Sequence, residues 1–183
     1  MSGIAHVALL RGINVGGKNK LPMSALSEMF AEAGCKDVQT YIQSGNVIFR
    51  SPAKASAGIA RKVTATITER FGYSTPVILR TVDQLREVTL HNPYLQAGAN
   101  PEALFVMFLA GQPASAGVAE LDPNRSSPDL FHVRGQEIYL HILNGVANSK
   151  LTNAYFDSRL ATVSTSRNWR TVNKLLELME TAG

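Results

Sequence analysis

Val38-Gln39-Thr40-Tyr41-Ile42-Gln43-Ser44-Gly45-Asn46-Val47-Ile48-Phe49-Arg50 is the stretch whose reading decides the fold. Two β-type runs flank Ser44-Gly45, a turn pair in which glycine takes a positive φ at no steric cost. The pattern predicts a hairpin with strands over 38–43 and 46–50 and a two-residue turn. Upstream of it, Leu26, Met29, Phe30 and Ala33 fall on one face of a helix from about Pro22. Pro22 suits the first helical position and Gly34 the left-handed C′ cap. Before that helix, Ile4 to Leu10 reads as a buried strand. Downstream, Ile59, Val63, Ile67 and Phe71 recur every four residues and Gly72 stops a second helix. A strand over 76–79 follows, then a short helix from Val82 to about Leu90, ended by His91-Asn92-Pro93.

The order then begins again. Residues 92–101 are uncharged and rich in turn formers, which divides the chain into subdomains 1–95 and 96–183. Beyond the boundary, 104–109 reads as a strand and 115–121 as a short helix. Asp129 to Arg134 pairs with Glu137 to Leu143 around the glycine-first turn Gly135-Gln136. A helix over about 150–160 carries Leu151, Ala154 and Tyr155, and a short strand covers 161–166. The last helix, from about Asn168 to Thr181, places Trp169, Val172, Leu176 and Met179 at helical spacing. Both halves read β-α-β-β-α-β-α, although residue identity between them is slight. Counted back from each turn, Tyr41 falls where His132 falls and Ile48 where Tyr139 falls. The expected fold class is α+β, with two tandem ferredoxin-like (split βαβ) subdomains and antiparallel sheets.

Composition bounds the function. With 183 residues and 45% hydrophobic content, the chain suffices for one sizeable domain or two small ones. Its single cysteine, Cys35, excludes an internal disulfide and fits a reducing compartment. No apolar run approaches a bilayer span and no leader-like N-terminus is present, so the expectation is a cytoplasmic protein with no membrane partner, monomeric or homodimeric. Net charge is +4, mild for a nucleic-acid binder but uneven. Residues 1–95 hold 11 basic and 6 acidic side chains, net +5, against 7 and 8, net −1, over 96–183. The four histidines lack metal-ligand spacing, so no metal site and no cofactor are expected. No nucleophile elbow, cysteine–histidine pair or compact carboxylate pair marks a catalytic centre.

The positive field has two foci. The first is Arg11-Gly12-Ile13-Asn14-Val15-Gly16-Gly17-Lys18-Asn19-Lys20, in which three glycines and two lysines with no carboxylate suit an anion met by backbone N–H groups. Gly12-x-x-x-x-Gly17-Lys18 matches the start of a phosphate-loop pattern. Asn19 replaces the hydroxyl that would bind Mg²⁺, however, and the α+β order is not the parallel sheet that hosts that motif. The choice left is a generic anion loop or a structural glycine turn. The second focus is Ser166-Arg167-Asn168-Trp169-Arg170-Thr171, where a capping residue, two arginines and a helix start coincide and Lys174 follows one turn on. The arginines there meet either a ligand or internal acids, and Trp169 suits the core.

Four motifs carry a resemblance: Leu9-Leu10-Arg11-Gly12-Ile13-Asn14-Val15-Gly16-Gly17 with Lys18, Tyr41-Ile42-Gln43-Ser44-Gly45-Asn46-Val47, Ser149-Lys150-Leu151, and Arg167-Asn168-Trp169-Arg170-Thr171-Val172. In these the chain resembles the bacterial family known as domain of unknown function 1697, over nearly its whole length. The resemblance implies a duplicated α+β fold with ferredoxin-like halves and no activity or catalytic residues.

Three functional expectations follow. The leading one is a binding protein for a phosphate-bearing ligand, nucleotide or nucleic acid, held by Lys18, Lys20 and the backbone of Gly16 and Gly17, with Arg167 and Arg170. The second is an enzyme acting on a phosphorylated or carboxylated metabolite, with Asn14, Gln43, Ser44 and Lys150 as polar groups. The third is an interaction protein joined through sheet edges or the His132/Tyr139 face.

Overall fold

A computed structural model describes residues 3–181. Its strands are β1 (Ile4–Leu10), β2 (Lys36–Tyr41), β3 (Asn46–Ser51), β4 (Val77–Thr81), β5 (Leu104–Leu109), β6 (Leu130–Arg134), β7 (Glu137–His141) and β8 (Ser164–Asn168). Its α-helices are α1 (Met23–Glu32), α2 (Ser56–Phe71), α3 (Val82–Leu90), α4 (Pro93–Gln96), α5 (Ser115–Ala119), α6 (Asn153–Leu160) and α7 (Trp169–Thr181). The strands form two four-stranded antiparallel sheets, in the orders β2-β3-β1-β4 and β6-β7-β5-β8. Each is the split βαβ plan: the hairpin inserted between the two crossovers puts the third strand beside the first.

The chain divides into two compact units, Met1–Arg86 with Lys174–Gly183, and Glu87–Asn173. The sequence reading set a single boundary after residue 95. The divisions between the units fall inside α3 and α7, the helices that run directly on from β4 and β8. In the first unit, Ala8, Leu10, Val47 and Phe49 from one sheet face pack with Leu26, Met29 and Phe30 of α1 and Ile59, Val63 and Ile67 of α2. In the second, Met107, Leu109, Ile138 and Leu140 pack with Tyr155, Phe156 and Leu160 of α6. Alternation along a strand sends successive side chains to opposite faces, yet β1 and β5 are buried on both, so they read as continuous apolar runs.

The registers superimpose. Val7 stands opposite Ile48 and Arg80, and Ile48 opposite Gln39. Val106 stands opposite Tyr139 and Arg167, and Tyr139 opposite His132. The correspondence of Ile48 with Tyr139 holds, but His132 corresponds to Gln39 and Tyr41 to Arg134. The cause is loop length: β2 and β3 close at Tyr41 and Asn46 over a four-residue loop, whereas Arg134 and Glu137 close the second hairpin over two. Arg80 and Arg167, at matching positions, are both buried and donate through Nη1 to the preceding carbonyl, Leu79 O and Ser166 O, each at 2.8 Å.

Helix ends follow the expected residues in most places. Gly72 is the left-handed cap of α2 at φ 75°, and Gly34 follows the Ala33 cap of α1 at φ 92°. Pro22 is the residue before α1, extended at ψ 137°, and not its first helical residue. On α7 the buried face is Trp169, Val172, Leu175 and Met179, with Leu175 in place of the expected Leu176. Cys35 is buried as expected, and burial pushes its thiol up to about 11.

His6 is 2% exposed, stacks on Phe49 at 5.3 Å, and its Nε2 has no hydrogen-bond partner among the described residues. Burial holds its pKa below the ordinary value of 6.5. The unfolded chain therefore binds more protons than the folded one just below that value, and stability is lost as pH falls from neutrality. We expect the urea midpoint to fall more steeply between pH 7 and 5 in the natural protein than in His6→Phe. Equal slopes would contradict a neutral, buried His6.

Candidate functional site

The glycine-rich stretch folds as a small hairpin of its own. Asn14 N–H donates to Asn19 O at 3.1 Å and Lys18 N–H to Val15 O at 3.0 Å, so Gly16 and Gly17 are the two central residues of a tight turn. Their φ values of 57° and 76° are the left-handed pair that a type I′ turn demands. Gly16, Gly17, Lys18 and Lys20 are exposed, and Arg11 is half-buried. The N–H groups of Gly16 and Gly17 meet no acceptor among the described residues. Residues 11–20 contain no carboxylate.

Asn14 fixes this hairpin to the rest of its unit. Its Nδ2 donates to Leu21 O and to Gln43 O, both at 2.9 Å, and its Oδ1 accepts from Leu21 N–H at 2.9 Å. The amide thus joins the glycine loop, the approach to α1 and the loop between β2 and β3. Other bonds reinforce it: Asn19 Nδ2 to Gly12 O at 3.0 Å, Tyr73 Oη to Asn19 O at 3.1 Å, and Thr75 Oγ1 to Arg11 O at 2.6 Å. Ile13 is buried beneath the loop. A Cβ on Gly45 would stand 2.7 Å from Ile13 Cδ1 and 2.8 Å from Leu10 Cβ, so only glycine lets the two loops approach this closely.

These contacts assign each sequence-predicted group a place. Asn14 and Gln43 come together, through the Asn14 side chain and the Gln43 carbonyl. Ser44 Oγ accepts from Asn46 Nδ2 at 2.9 Å, and the same amide donates to Tyr41 O at 3.1 Å, which shapes the 42–45 loop. The Asn14 amide is thereby engaged in holding backbone and Ser44 Oγ in holding the Asn46 amide, while Lys18 and Lys20 are exposed.

In the second unit the two arginines part. Arg167 lies in β8, not in a helical turn, and strand alternation turns it inward, where Thr165 Oγ1 at 2.9 Å and Ser166 O accept its Nη1. Burial pushes its guanidinium down to about 10, which still leaves it charged at neutral pH. Asn168 is the cap: its Oδ1 accepts from Thr171 N–H at 2.8 Å. Arg170 and Lys150 are exposed, and Trp169 is buried as expected. Sequence reasoning missed Asp129, a carboxylate 1% exposed whose Oδ1 accepts from Leu143 N–H at 2.8 Å and Asn144 N–H at 3.1 Å, and whose Oδ2 accepts from Ser126 Oγ at 2.9 Å. Burial alone would raise its pKa, but the hydrogen bonds from Ser149, Ser126, Leu143 and Asn144 outweigh that and hold it below the usual carboxylate value. No sequence signal separates it from an ordinary loop aspartate, because its partners lie up to 20 residues downstream. Among the described residues no group of three or more His, Cys, Asp or Glu could hold a metal ion, and no helix is long and apolar enough to cross a membrane.

By architecture the molecule is an α+β protein with two tandem ferredoxin-like units. It belongs to the family described as "Protein of unknown function (DUF1697)", whose model matches residues 4–139. The match takes in the glycine loop and the 42–45 loop, while the 149–151 and 167–172 motifs lie beyond it. Among solved structures it is similar to the conserved bacterial protein SP0830 from Streptococcus pneumoniae, with 22% identity, a TM-score of 0.71, and coverage of 97% of this chain and 99% of the other. Comparison with curated proteins yields no match.

Asn14→Gly isolates the work of the amide, since glycine takes the φ of 54° without strain. Three hydrogen bonds to backbone disappear, and we expect the unfolding free energy to drop by about 1–3 kcal/mol in urea titration. A drop under roughly 0.5 kcal/mol, the level of an ordinary surface change, would show that the amide does not hold the loop.

Proposed function

We propose that the protein binds a phosphate-bearing ligand, a nucleotide or a nucleic-acid backbone, at the Gly16-Gly17 turn. One observation carries the reading: two exposed glycine N–H groups without an acceptor sit on a backbone pinned by Asn14, flanked by exposed Lys18 and Lys20 and by no carboxylate within the loop. Successive backbone N–H groups on a left-handed turn form a concavity suited to an anion, and lysine adds a mobile charge. A backbone held in place beforehand loses little freedom when the ligand arrives, which favours affinity. Arg167, held inward, has no part in this reading, and the loop serves without the second unit.

Of the polar groups an enzyme would use here, the Asn14 amide is tied to backbone and Ser44 Oγ accepts from the Asn46 amide, which favours binding over catalysis. Gln43 and Arg11 flank the turn as additional contacts to the ligand.

Thermal-shift scans with ATP, inorganic pyrophosphate and a short oligonucleotide test the proposal. Ligand at a hundredfold excess over its dissociation constant stabilises the folded state by about 2.7 kcal/mol, which raises the Tm measurably. We expect such a rise in the natural protein and its disappearance in Lys18→Ala/Lys20→Ala with the ligand-free Tm unchanged. If oligonucleotide is the ligand, affinity falls steeply with added salt, and if nucleotide, mildly. No rise with any of the three, or the same rise in the variant, would overturn the site.

A further inference from the structure

The two units repeat one plan, but the helix that follows the hairpin differs in length. In the first, β3 ends at Ser51 and α2 runs for 16 residues, Ser56–Phe71, with Ile59 and Val63 of its first half in the core beside Phe49. In the second, β7 ends at His141 and α6 is only 8 residues long, Asn153–Leu160, so residues 142–152 form a connection without an α-helix. A pocket of about 210 Å³ opens there. Its apolar walls are Phe105 of β5, Leu140 of β7, and Ile142, Val146 and Leu151 of the connection. Phe105, Leu140 and Ser166 hold the register positions that His6, Phe49 and Leu79 hold in the first unit, where the face is packed. For scale, a cavity of about 150 Å³ with comparable apolar walls is known to accept benzene. Leu140, Ile142 and Leu151 are buried and form the floor, whereas Val146 is 64% exposed and stands at the mouth.

The polar groups at the pocket are Ser149, Thr152, Asn153 and Ser166. A hydrogen-bond chain orients one of them. Ser164 Oγ donates to Asp157 Oδ1 at 2.6 Å, so it meets Asn153 as an acceptor, and Asn153 Nδ2 donates to it at 2.8 Å. The Asn153 amide is thereby set, and its Oδ1 is an acceptor with no partner among the described residues. Ser166 Oγ has no partner there either, and a hydroxyl both donates and accepts. Thr152 Oγ1 accepts from Tyr155 N–H at 3.2 Å, which leaves its own O–H to donate. Ser149 is committed, since its hydroxyl bonds Asp129 and its oxygen accepts from Leu151 N–H at 3.3 Å. Among the described residues no charged side chain lines the pocket: Asp157 stands behind Ser164, and Asp129 behind Ser149.

We propose that this pocket binds a small uncharged compound with an apolar body about the size of one ring and a head that both donates and accepts a hydrogen bond, an amide or an alcohol. An anion would meet the Asn153 carbonyl and two acids a step further back, with no cation beside it. An ammonium would give up its water for a site whose acids already accept from Ser164, Ser126, Ser149 and backbone N–H groups. An amide or a hydroxyl gives its proton to Asn153 Oδ1 and accepts from Ser166 or Thr152, while its ring displaces water from apolar walls. The site lies wholly within the second unit and is independent of the glycine turn.

The test uses the ¹⁵N-labelled full chain at neutral pH, titrated in NMR with benzamide, benzyl alcohol, benzoate and benzylamine, four probes that share a ring and differ in the head. We expect saturable shifts at residues 149–154 and 166 with benzamide and benzyl alcohol at millimolar concentration. Benzoate and benzylamine, both charged, should bind about tenfold more weakly or not at all. Ser166→Leu places in the pocket the residue that the first unit has at the matching position, and should abolish the benzamide shifts without lowering Tm. Should that variant not fold, the ranking of the four probes on the natural chain decides alone. Absent or non-saturating shifts with both neutral probes, binding of either charged probe as tight as that of benzamide, or undiminished binding in a folded Ser166→Leu would each overturn the proposal.

Discussion

One side-chain amide organises the end of the first unit that presents the basic loop. Asn14 ties together segments distant in sequence: its own hairpin, Leu21 seven residues on, and Gln43 a further 22 beyond that. A hairpin tipped by Gly16-Gly17 has little apolar surface with which to hold itself, because Val15 and both glycines are exposed. Without a packed side, backbone order must come from hydrogen bonds, and each bond between partly buried groups contributes about 0.5–1.5 kcal/mol. The amide replaces a missing core with three such bonds. Ile13 beneath and Gly45 beside it complete the seat, since a side chain at 45 would drive the two loops apart.

The same logic explains the repeated plan of the two units. Each central strand, β1 and β5, is buried on both faces, and apart from His6 of β1 the buried polar side chains of the sheets lie on their neighbours. Arg80 and Arg167 occupy matching register positions and satisfy a buried guanidinium partly with the carbonyl just before it. A buried charge costs free energy unless its donors are met, so a local carbonyl acceptor at a fixed distance lessens that cost. The direct passage from β4 to α3 and from β8 to α7 is also repeated. Thr81 and Gln84 bond reciprocally at the first, and Asn168 caps the second.

Elements were legible where local chemistry decides them. Gly135-Gln136 gave the second hairpin its two-residue turn because a glycine in first place specifies it, and the four-residue spacing of Ile59, Val63 and Ile67 with Gly72 defines α2 from start to stop. The first hairpin misled because Ile42 takes φ 50°, a left-handed conformation that a β-branched residue disfavours. The Asn46 amide, bonded to Tyr41 O and Ser44 Oγ, stabilises that loop, and no propensity reveals it. The slip of two residues then misaligned Tyr41 with His132. At the sites, the exposed glycines and lysines could be read from composition alone. The clamp of Asn14, the inward turn of Arg167 and the four bonds of Asp129 could not, since each depends on partners brought near only by the fold.

The central physical claim is that the Gly16-Gly17 turn is ordered before any ligand arrives and offers its N–H groups to phosphate. Backbone ¹⁵N relaxation on the free protein, followed by a pyrophosphate titration on the same sample, addresses both parts at once. A held turn gives order parameters near 0.85, the value of rigid backbone, and saturable movement of the Gly16 and Gly17 amide resonances. Order parameters below about 0.6, the flexible range, or resonances indifferent to pyrophosphate would contradict it.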